Sequence, residues 1–327
     1  MPRFSYIHLS DTHFCIEPVR RNALGLMRRL PRNRIDTYWR QMRTIGYLSL
    51  AKPASYIPEI LIGAAQFCLE RPSVDGVIFT GDLATTGMMT DLLVARSFVS
   101  EPAADGFVTE NGSPTLNVGS RNIYVLPGNH DKYINPAGAP NCIHFAMQFG
   151  SLMRNYRDGV GHWVRRKGNA HVGFIYADFT LQTRMDASDK FFAVYGQGRV
   201  KEEVLRELKD RSFDLRRRFE KITLVWVLHF APFDCGYSLR LHDYGDFIDA
   251  AISLRVAATI CGHTHRASKT SVDGHTILCA GSTGCVDAEE DSRIQVLHFD
   301  VGKEIHIQRE NYIWSSNEQE FVFLSRD

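Results

Sequence analysis

Asp11, His13, Asp82, Asn129, His229, His263 and His265 fall in five short segments, and in residue type they form a set of metal donors. Carboxylate oxygens and imidazole nitrogens together suit borderline divalent cations such as zinc, manganese or iron, whereas an all-oxygen set would suit magnesium or calcium. In Asp11-Thr12-His13 the spacing of two puts both side chains on one side of an extended segment, where they can grip a single ion. His263-Thr264-His265 offers the same geometry with two imidazoles. Gly81, Gly128 and Gly262 each precede a donor residue and permit sharp turns that bring backbone close to a ligand. Any one of these segments alone is as well explained by a turn, a cap or chance. Their weight comes from occurring together and in order.

The elements that must position them can be read from apolar periodicity. Strand-like runs, several short, β-branched and continuously apolar, occupy residues 4–9, 74–80, 123–126, 171–177, 222–228, 256–260 and 276–279. Five of the runs end in a polar cluster: Ser10-Asp11-Thr12-His13, Gly81-Asp82, Pro127-Gly128-Asn129-His130-Asp131, His229, and Gly262-His263-Thr264-His265. Helical patterns cover 55–70, 89–99, 199–219 and 239–253. The alternation predicts a layered α/β architecture, and α/β sheets place ligands at the carboxyl ends of their strands. After residue 295 the pattern changes to alternating strands at 295–299, 304–308 and 321–324, with a Val301-Gly302-Lys303 turn, which predicts an antiparallel meander. Residues 112–121 read as a loop.

Composition narrows the class. A chain of 327 residues with 44% hydrophobic and 23% charged content predicts an ordinary globular protein and excludes disordered and fibrous classes. One domain over 1–327 is expected, with an arginine-rich insertion at about 17–54 and the meander at about 293–325. A net charge of +1 selects no partner. The seven cysteines are odd in number, scattered and without a C-x-x-C pair, so free thiols in a reducing cytoplasm are expected. The first ten residues run straight into a strand pattern, and no long apolar run follows, so neither secretion nor a membrane span is expected.

The order Asp-x-His, Gly-Asp, Gly-Asn-His-Asp, His, Gly-His-x-His resembles the calcineurin-like metallophosphoesterase superfamily, over the stretch from Asp11 to His265. The resemblance implies a four-layer α/β/β/α sandwich of two mixed sheets flanked by helices. It implies one metal held by Asp11, His13, Asp82 and His265 and a second held by Asp82, Asn129, His229 and His263, with Asp82 bridging. Two divalent ions about 3.5 to 4 Å apart acidify a bridging water, orient the phosphate oxygens and neutralise charge as hydroxide attacks phosphorus. His130 is then the candidate for protonating the leaving alkoxide or stabilising the equatorial oxygens. The expected protein is a metal-dependent phosphoric ester hydrolase with two transition-metal ions, manganese, iron or zinc.

Two departures from the family pattern bear on that expectation. Many relatives read Gly-Asp-x-x-Asp, whose second carboxylate orients the catalytic histidine; here Thr85 stands at that place, and a hydroxyl bonded to His130 would support a protonated imidazole less. The His-His-Pro-Pro of small bacterial cyclic-nucleotide phosphodiesterases is replaced by His229-Phe230-Ala231-Pro232, which keeps the ligand. The opening His8-Leu9-Ser10-Asp11-Thr12-His13-Phe14 and the spacing resemble the class III cyclic-nucleotide phosphodiesterases more than the phosphoprotein phosphatases, so a phosphodiester is the expected substrate class.

Eight arginines, Arg20, Arg21, Arg28, Arg29, Arg32, Arg34, Arg40 and Arg43, stand against the single acid Asp36 in an apolar-interleaved stretch. That stretch fits a lid over an anionic substrate, a contact with a membrane surface or nucleic acid, or a solvated helical pair packing on the body. A nuclease or lipid phosphodiesterase therefore stands as the alternative activity. A catalytically dead scaffold would be expected to lack ligands, and none of the seven is missing. Gly281-Ser282-Thr283-Gly284 fits either a site-lining loop or a tight turn, and Cys15 and Cys261 are expected to be buried small hydrophobes.

Overall fold

The structure is a computed structural model, and it describes residues 1–15, 56–100, 106–108, 114–117, 122–132, 143–180, 196–236, 239–284, 291–302 and 305–327. The short apolar runs near the N-terminus become β1 (Arg3–Leu9), β2 (Gly76–Phe79) and β3 (Ile123–Val125), which pair in parallel. On its other edge β1 pairs antiparallel with β12 (Arg293–Val301), and β13 (Ile305–Ser315) and β14 (Glu320–Arg326) continue the meander. The result is a six-stranded mixed sheet of order β14-β13-β12-β1-β2-β3.

A second six-stranded mixed sheet has β4 (Val160–Lys167), β5 (Ala170–Ala177), β7 (Ile222–Val227), β9 (Ala258–Cys261), β10 (Ser268–Val272) and β11 (His275–Cys279) in the order β10-β11-β9-β7-β5-β4. A two-stranded ladder joins β6 (Gly198–Arg199) to β8 (Leu241–His242). The two large sheets face each other across a continuous aromatic core. Tyr6 and Phe299 of the first sheet meet Phe174 of the second at centroid separations of 4.7 and 5.6 Å, and Trp163 stacks on Phe174 at 5.0 Å. Each such fully buried aromatic contributes about 2–3 kcal/mol through removal from water, which fixes the sheets against one another.

Helices cover the outer faces. On the first sheet, α1 (Pro58–Leu69) brings Phe67 against Tyr312 at 4.7 Å, and α2 (Met89–Ser100) sets Phe98 edge-on to Phe79. A short α3 (Ile143–Phe149) lies on α2, where Gln148 reaches the Met89 sulfur. On the second sheet, α4 (Glu202–Arg218) buries Val204, Leu208, Ser212 and Leu215 along one stripe, and Trp226 donates to the Ser212 hydroxyl at 3.1 Å. The ends of α4 complement its dipole, with Glu202 and Glu203 in the first turn and Arg216, Arg217 and Arg218 in the last. Finally, α5 (Tyr244–Ser253) packs Phe247 on Trp226 at 5.0 Å. The layers therefore run helix, sheet, sheet, helix, the four-layer α/β/β/α sandwich expected from the sequence.

Several boundaries differ from the periodicity. The predicted helix at 239–253 begins only at Tyr244, because Leu241 and His242 pair with β6 and Asp243 turns left-handed at φ 61°. The periodicity shows neither β4 nor β10, both edge strands: β10 is polar, and β4 mixes the buried Val160 and Trp163 with Arg165, Arg166 and Lys167. The arginine-rich stretch from Arg20 to Arg43 lies outside the described residues, as does most of the predicted loop at 112–121. Among the described residues Cys68, Cys235, Cys261 and Cys279 are free thiols, Cys15 and Cys261 are buried, and no helix is long and apolar enough to cross a membrane.

Candidate metal centre

The polar clusters follow β1, β2, β3, β7 and β9, and the parallel strands point all five at one end of the sandwich. Backbone hydrogen bonds tie the loops together: Asp11 N–H to Gly81 O at 3.1 Å, His13 N–H to Asp82 O at 3.1 Å and Gly262 N–H to His229 O at 3.0 Å. Asp11, His13, Asp82, His263 and His265 all sit at positive φ, between 51° and 73°. That conformation is costly for residues with a Cβ, and clusters of it mark sites where the surrounding structure imposes geometry. Close approach also explains two glycines. A Cβ on Gly81 would come within 2.6 Å of His229 Nδ1, and one on Gly262 would collide with Ser10 Oγ and lie 2.8 Å from Asp11 Oδ2.

All seven predicted donors come together. In one group His265 Nε2 lies 3.4 Å from Asp11 Oδ1 and 3.2 Å from His13 Nε2. In the other, His229 Nε2 lies 3.3 Å from Asp82 Oδ2, 3.0 Å from Asn129 Oδ1 and 3.1 Å from His263 Nδ1. Asp82 also groups with His13 and His130, donor atoms within 4.8 Å, so it stands between the two. The His263 N–H donates to Asp11 Oδ2 at 3.0 Å, joining the groups through backbone.

Hydrogen bonding tests whether this set fits metal ions. A carbonyl can only accept, so His229 Nδ1 donates to Thr80 O at 2.7 Å and His263 Nε2 donates to Gly196 O at 2.7 Å. Their remaining nitrogens, His229 Nε2 and His263 Nδ1, therefore turn toward each other at 3.1 Å. Two facing lone pairs repel unless a cation sits between them, and outward-donating histidines of this kind are the usual support of metal ligands. In the other group the buried Asp11 Oδ1, which faces His265 Nε2 at 3.4 Å, has no hydrogen-bond partner. The donor set fits two divalent cations.

Electrostatics agree. Burial acts to raise the carboxyls of Asp11 and Asp82, yet His265 and His229, with His130 and His13 beside them, hold both below the ordinary range. Burial, then the neighbouring imidazoles, pushes His13 and His263 down to about 3, which keeps them neutral and able to ligate. His229 goes the other way. Burial lowers it, but Asp82 and Asp11 outweigh burial and raise it to about 9, so this end of the site favours positive charge.

His130 lies at the rim, half-buried, with its ring edge-on to His13 at 4.9 Å. Its backbone N–H donates to Asp82 Oδ1 at 2.8 Å, and its Nδ1 donates to the carbonyl of Thr85 at 2.8 Å. Thr85 thus holds the imidazole through its backbone, not through the hydroxyl that was expected to do so; that hydroxyl donates to His13 O at 2.8 Å. Other residues support the donor loops. Asp131 accepts the N–H groups of Gly128, Leu83 and Ala84, and a site motif containing it was the available signal. Ser282 donates to Asp11 O at 2.9 Å and Thr283 bonds both the N–H and the C=O of Ser10, so the Gly-Ser-Thr-Gly segment supports the first donor loop. Gly196, the partner of His263, offered no signal at all.

Two facing mixed sheets with clustered Asp, Asn and His donors at the strand ends place the chain among layered α/β metalloproteins. The family model for calcineurin-like phosphoesterases matches residues 4–267, and the chain belongs to that family, whose members typically hold two divalent metals and act on phosphate esters. Among solved structures it is similar to a dimetal phosphatase from Danio rerio, with 14% identity, 98% of each chain covered and a TM-score of 0.54. It is also similar to GAP50, the anchor in the inner membrane complex of Plasmodium, with 13% identity, 99% of this chain and 89% of that one covered, and a TM-score of 0.52. At such identities the likeness is one of fold. No curated protein matches the chain.

Proposed function

We propose that the protein is a dinuclear metal-dependent phosphodiesterase acting on a cyclic nucleotide or a related small diester. The observation that carries the proposal is the convergence of seven donor side chains at 3.0–3.4 Å spacings, with the ring nitrogens of His229 and His263 turned inward by backbone carbonyls. Asp11, His13, Asp82 and His265 would hold one ion and Asp82, Asn129, His229 and His263 the other. When bound, such a pair supplies Lewis-acid charge for the phosphate oxygens and acidifies a water.

The chain's own residues supply the rest. Thr85 O fixes His130 with Nδ1 as a donor, so Nε2 is the nitrogen left to give a proton to the leaving oxygen. Because its partner is a carbonyl, the imidazole can reset after each turnover without losing Nδ1–H. The preference for a diester rests on local charge. Lys132, next in sequence to the His130-Asp131 pair, is neutralised by Asp178 and adds no free cation for a doubly charged monoester.

A manganese-supplemented substrate panel tests this reading. Cyclic AMP and bis(p-nitrophenyl) phosphate should be turned over faster than p-nitrophenyl phosphate; preference for the monoester would reject the diester assignment. Activity on single-stranded DNA that falls steeply with salt, or on phospholipid vesicles, would favour the arginine-rich stretch as a substrate contact. Fewer than one metal per chain together with no hydrolysis would point to a binding scaffold.

A further inference from the structure

Four consecutive residues, Asn129 to Lys132, tie the turn to three parts of the sandwich, the segments that follow β7, β2 and β5. Asn129 Oδ1 meets His229 Nε2 beyond β7 at 3.0 Å, and His130 is held by Asp82 and Thr85 beyond β2. Asp131 accepts the N–H groups of Leu83 and Ala84 at 3.2 and 2.8 Å. Lys132 closes the 3-10 turn through its N–H to Asn129 O at 3.3 Å and sends its ammonium across to Asp178, the residue following β5 in the second sheet. Both partners of that ion pair have only 5% of their side-chain surface exposed. Asp178 is itself fixed, accepting Thr180 N–H at 3.1 Å and the Tyr156 hydroxyl at 3.3 Å, while its own N–H donates to Gly159 O at 2.9 Å.

Stability alone gives no reason for such a pair. Taking two charges out of water is costly enough that an apolar pair of the same volume is often as stable or more so, and fixing one arrangement among several is a role that some buried pairs serve. Burial acts to raise the Asp178 carboxyl, but the Lys132 charge and the hydrogen bonds from Lys132 and Thr180 outweigh it and hold the group ionised. Among the described residues, the turn bearing His130 meets the second sheet at Asn129, through His229, and at Lys132, through Asp178.

Resting on the phosphodiesterase reading above, we propose that the Lys132–Asp178 pair is a positioning device that sets His130 against the leaving oxygen, Lys132 acting through the turn and not on the substrate. Proton donation matters for an alkoxide leaving group and little for p-nitrophenolate, which leaves unaided, so the role shows in the ratio of the two. In Lys132→Met the ratio of kcat on cyclic AMP to kcat on bis(p-nitrophenyl) phosphate should fall at least tenfold, and Lys132→Arg, which keeps the charge, should recover most of it. An equal loss on both substrates overturns the proposal. Where Lys132→Met folds poorly, Lys132→Met with Asp178→Leu replaces the pair by apolar groups and carries the same comparison: thermal stability should return while the ratio stays low, and return of both would reduce the pair to packing. A readout independent of turnover uses histidine-labelled protein. The His130 Nδ1–H resonance, protected by Thr85 O in the wild type, should broaden or vanish in either variant lacking the ion pair. An unchanged resonance overturns the positioning role even if the substrate panel supports a diesterase, and a lost resonance supports it even if the panel does not.

Discussion

The two donor groups lie side by side at the same strand ends, yet they are held in different ways. Around Asp82, Asn129, His229 and His263 the support comes before any ion: the Asp82 and His229 side chains are 2% and 1% exposed, and Thr80 O and Gly196 O fix which nitrogens face inward. Around Asp11, His13 and His265 the arrangement is looser. The His265 side chain is 21% exposed, and Asp11 Oδ1 lacks a hydrogen-bond partner. The first arrangement is preorganised and shielded, while the second leaves geometry to be completed by the ion and keeps one ligand open to water. Open positions are where exchange and substrate entry are easiest.

The most damaging test of this contrast removes the residue both groups share. Asp82→Ala should drop bound metal in both and bring turnover to background, read by metal analysis and the substrate panel; retention of a full metal complement would separate the groups from Asp82. Next in size is Asn129→Ala, which should lose the shielded group's ion and most turnover while the open group stays loaded. Wild-type-like activity in that variant would sink the dinuclear assignment.

A smaller effect concerns the order of loss. If the open group is the weaker, graded chelation of the wild type should release metal in two phases, and His265→Ala should remove the early phase and leave the late one. His263→Ala should do the reverse. A single phase unaffected by His265→Ala would mean the two groups do not differ in strength.

The sequence made some of this legible and hid the rest for physical reasons. β1, β2, β3, β5, β7 and β9 are mostly buried, so their composition is largely apolar and stands out. β4, where Arg165, Arg166 and Lys167 follow the buried Val160 and Trp163, and β10, carrying Ser268 and Lys269, are edge strands, and their polar residues interrupt the apolar pattern. β6 and β8 are two residues each and exist only because they meet. At the centre, the side-chain donors were legible by type and spacing. Their supports were not, because Thr80, Thr85 and Gly196 act through carbonyls that every residue possesses. The Lys132–Asp178 pair spans 46 positions and belongs to no motif.

The finest test follows the shielded group's support inward. Thr80, whose carbonyl orients His229, also bonds His8 Nε2 through its hydroxyl at 2.9 Å, so the chain of contacts runs from the donor into the core. His8 is fully buried, and burial, with Arg309 acting in the same direction, pushes it down to about 4 despite Gln295 and Asp11. An unfolded histidine titrates near 6.5. Between pH 6.5 and about 4 the unfolded chain therefore binds a proton that the folded chain refuses, and stability falls as pH drops through that window by roughly 1.4 kcal/mol per pH unit at most. Above the window His8 contributes no pH dependence, and below it the loss is complete. His8→Gln can still bond Thr80 but cannot titrate. Chelator-treated wild type and variant, compared by denaturant unfolding at pH 7, 5.5 and 4.5, should differ by an amount that shifts steadily in the variant's favour as pH falls. A difference that stays flat would show that His8 accepts its proton inside the fold, and the rigid support ascribed to the shielded group would then stop at Thr80.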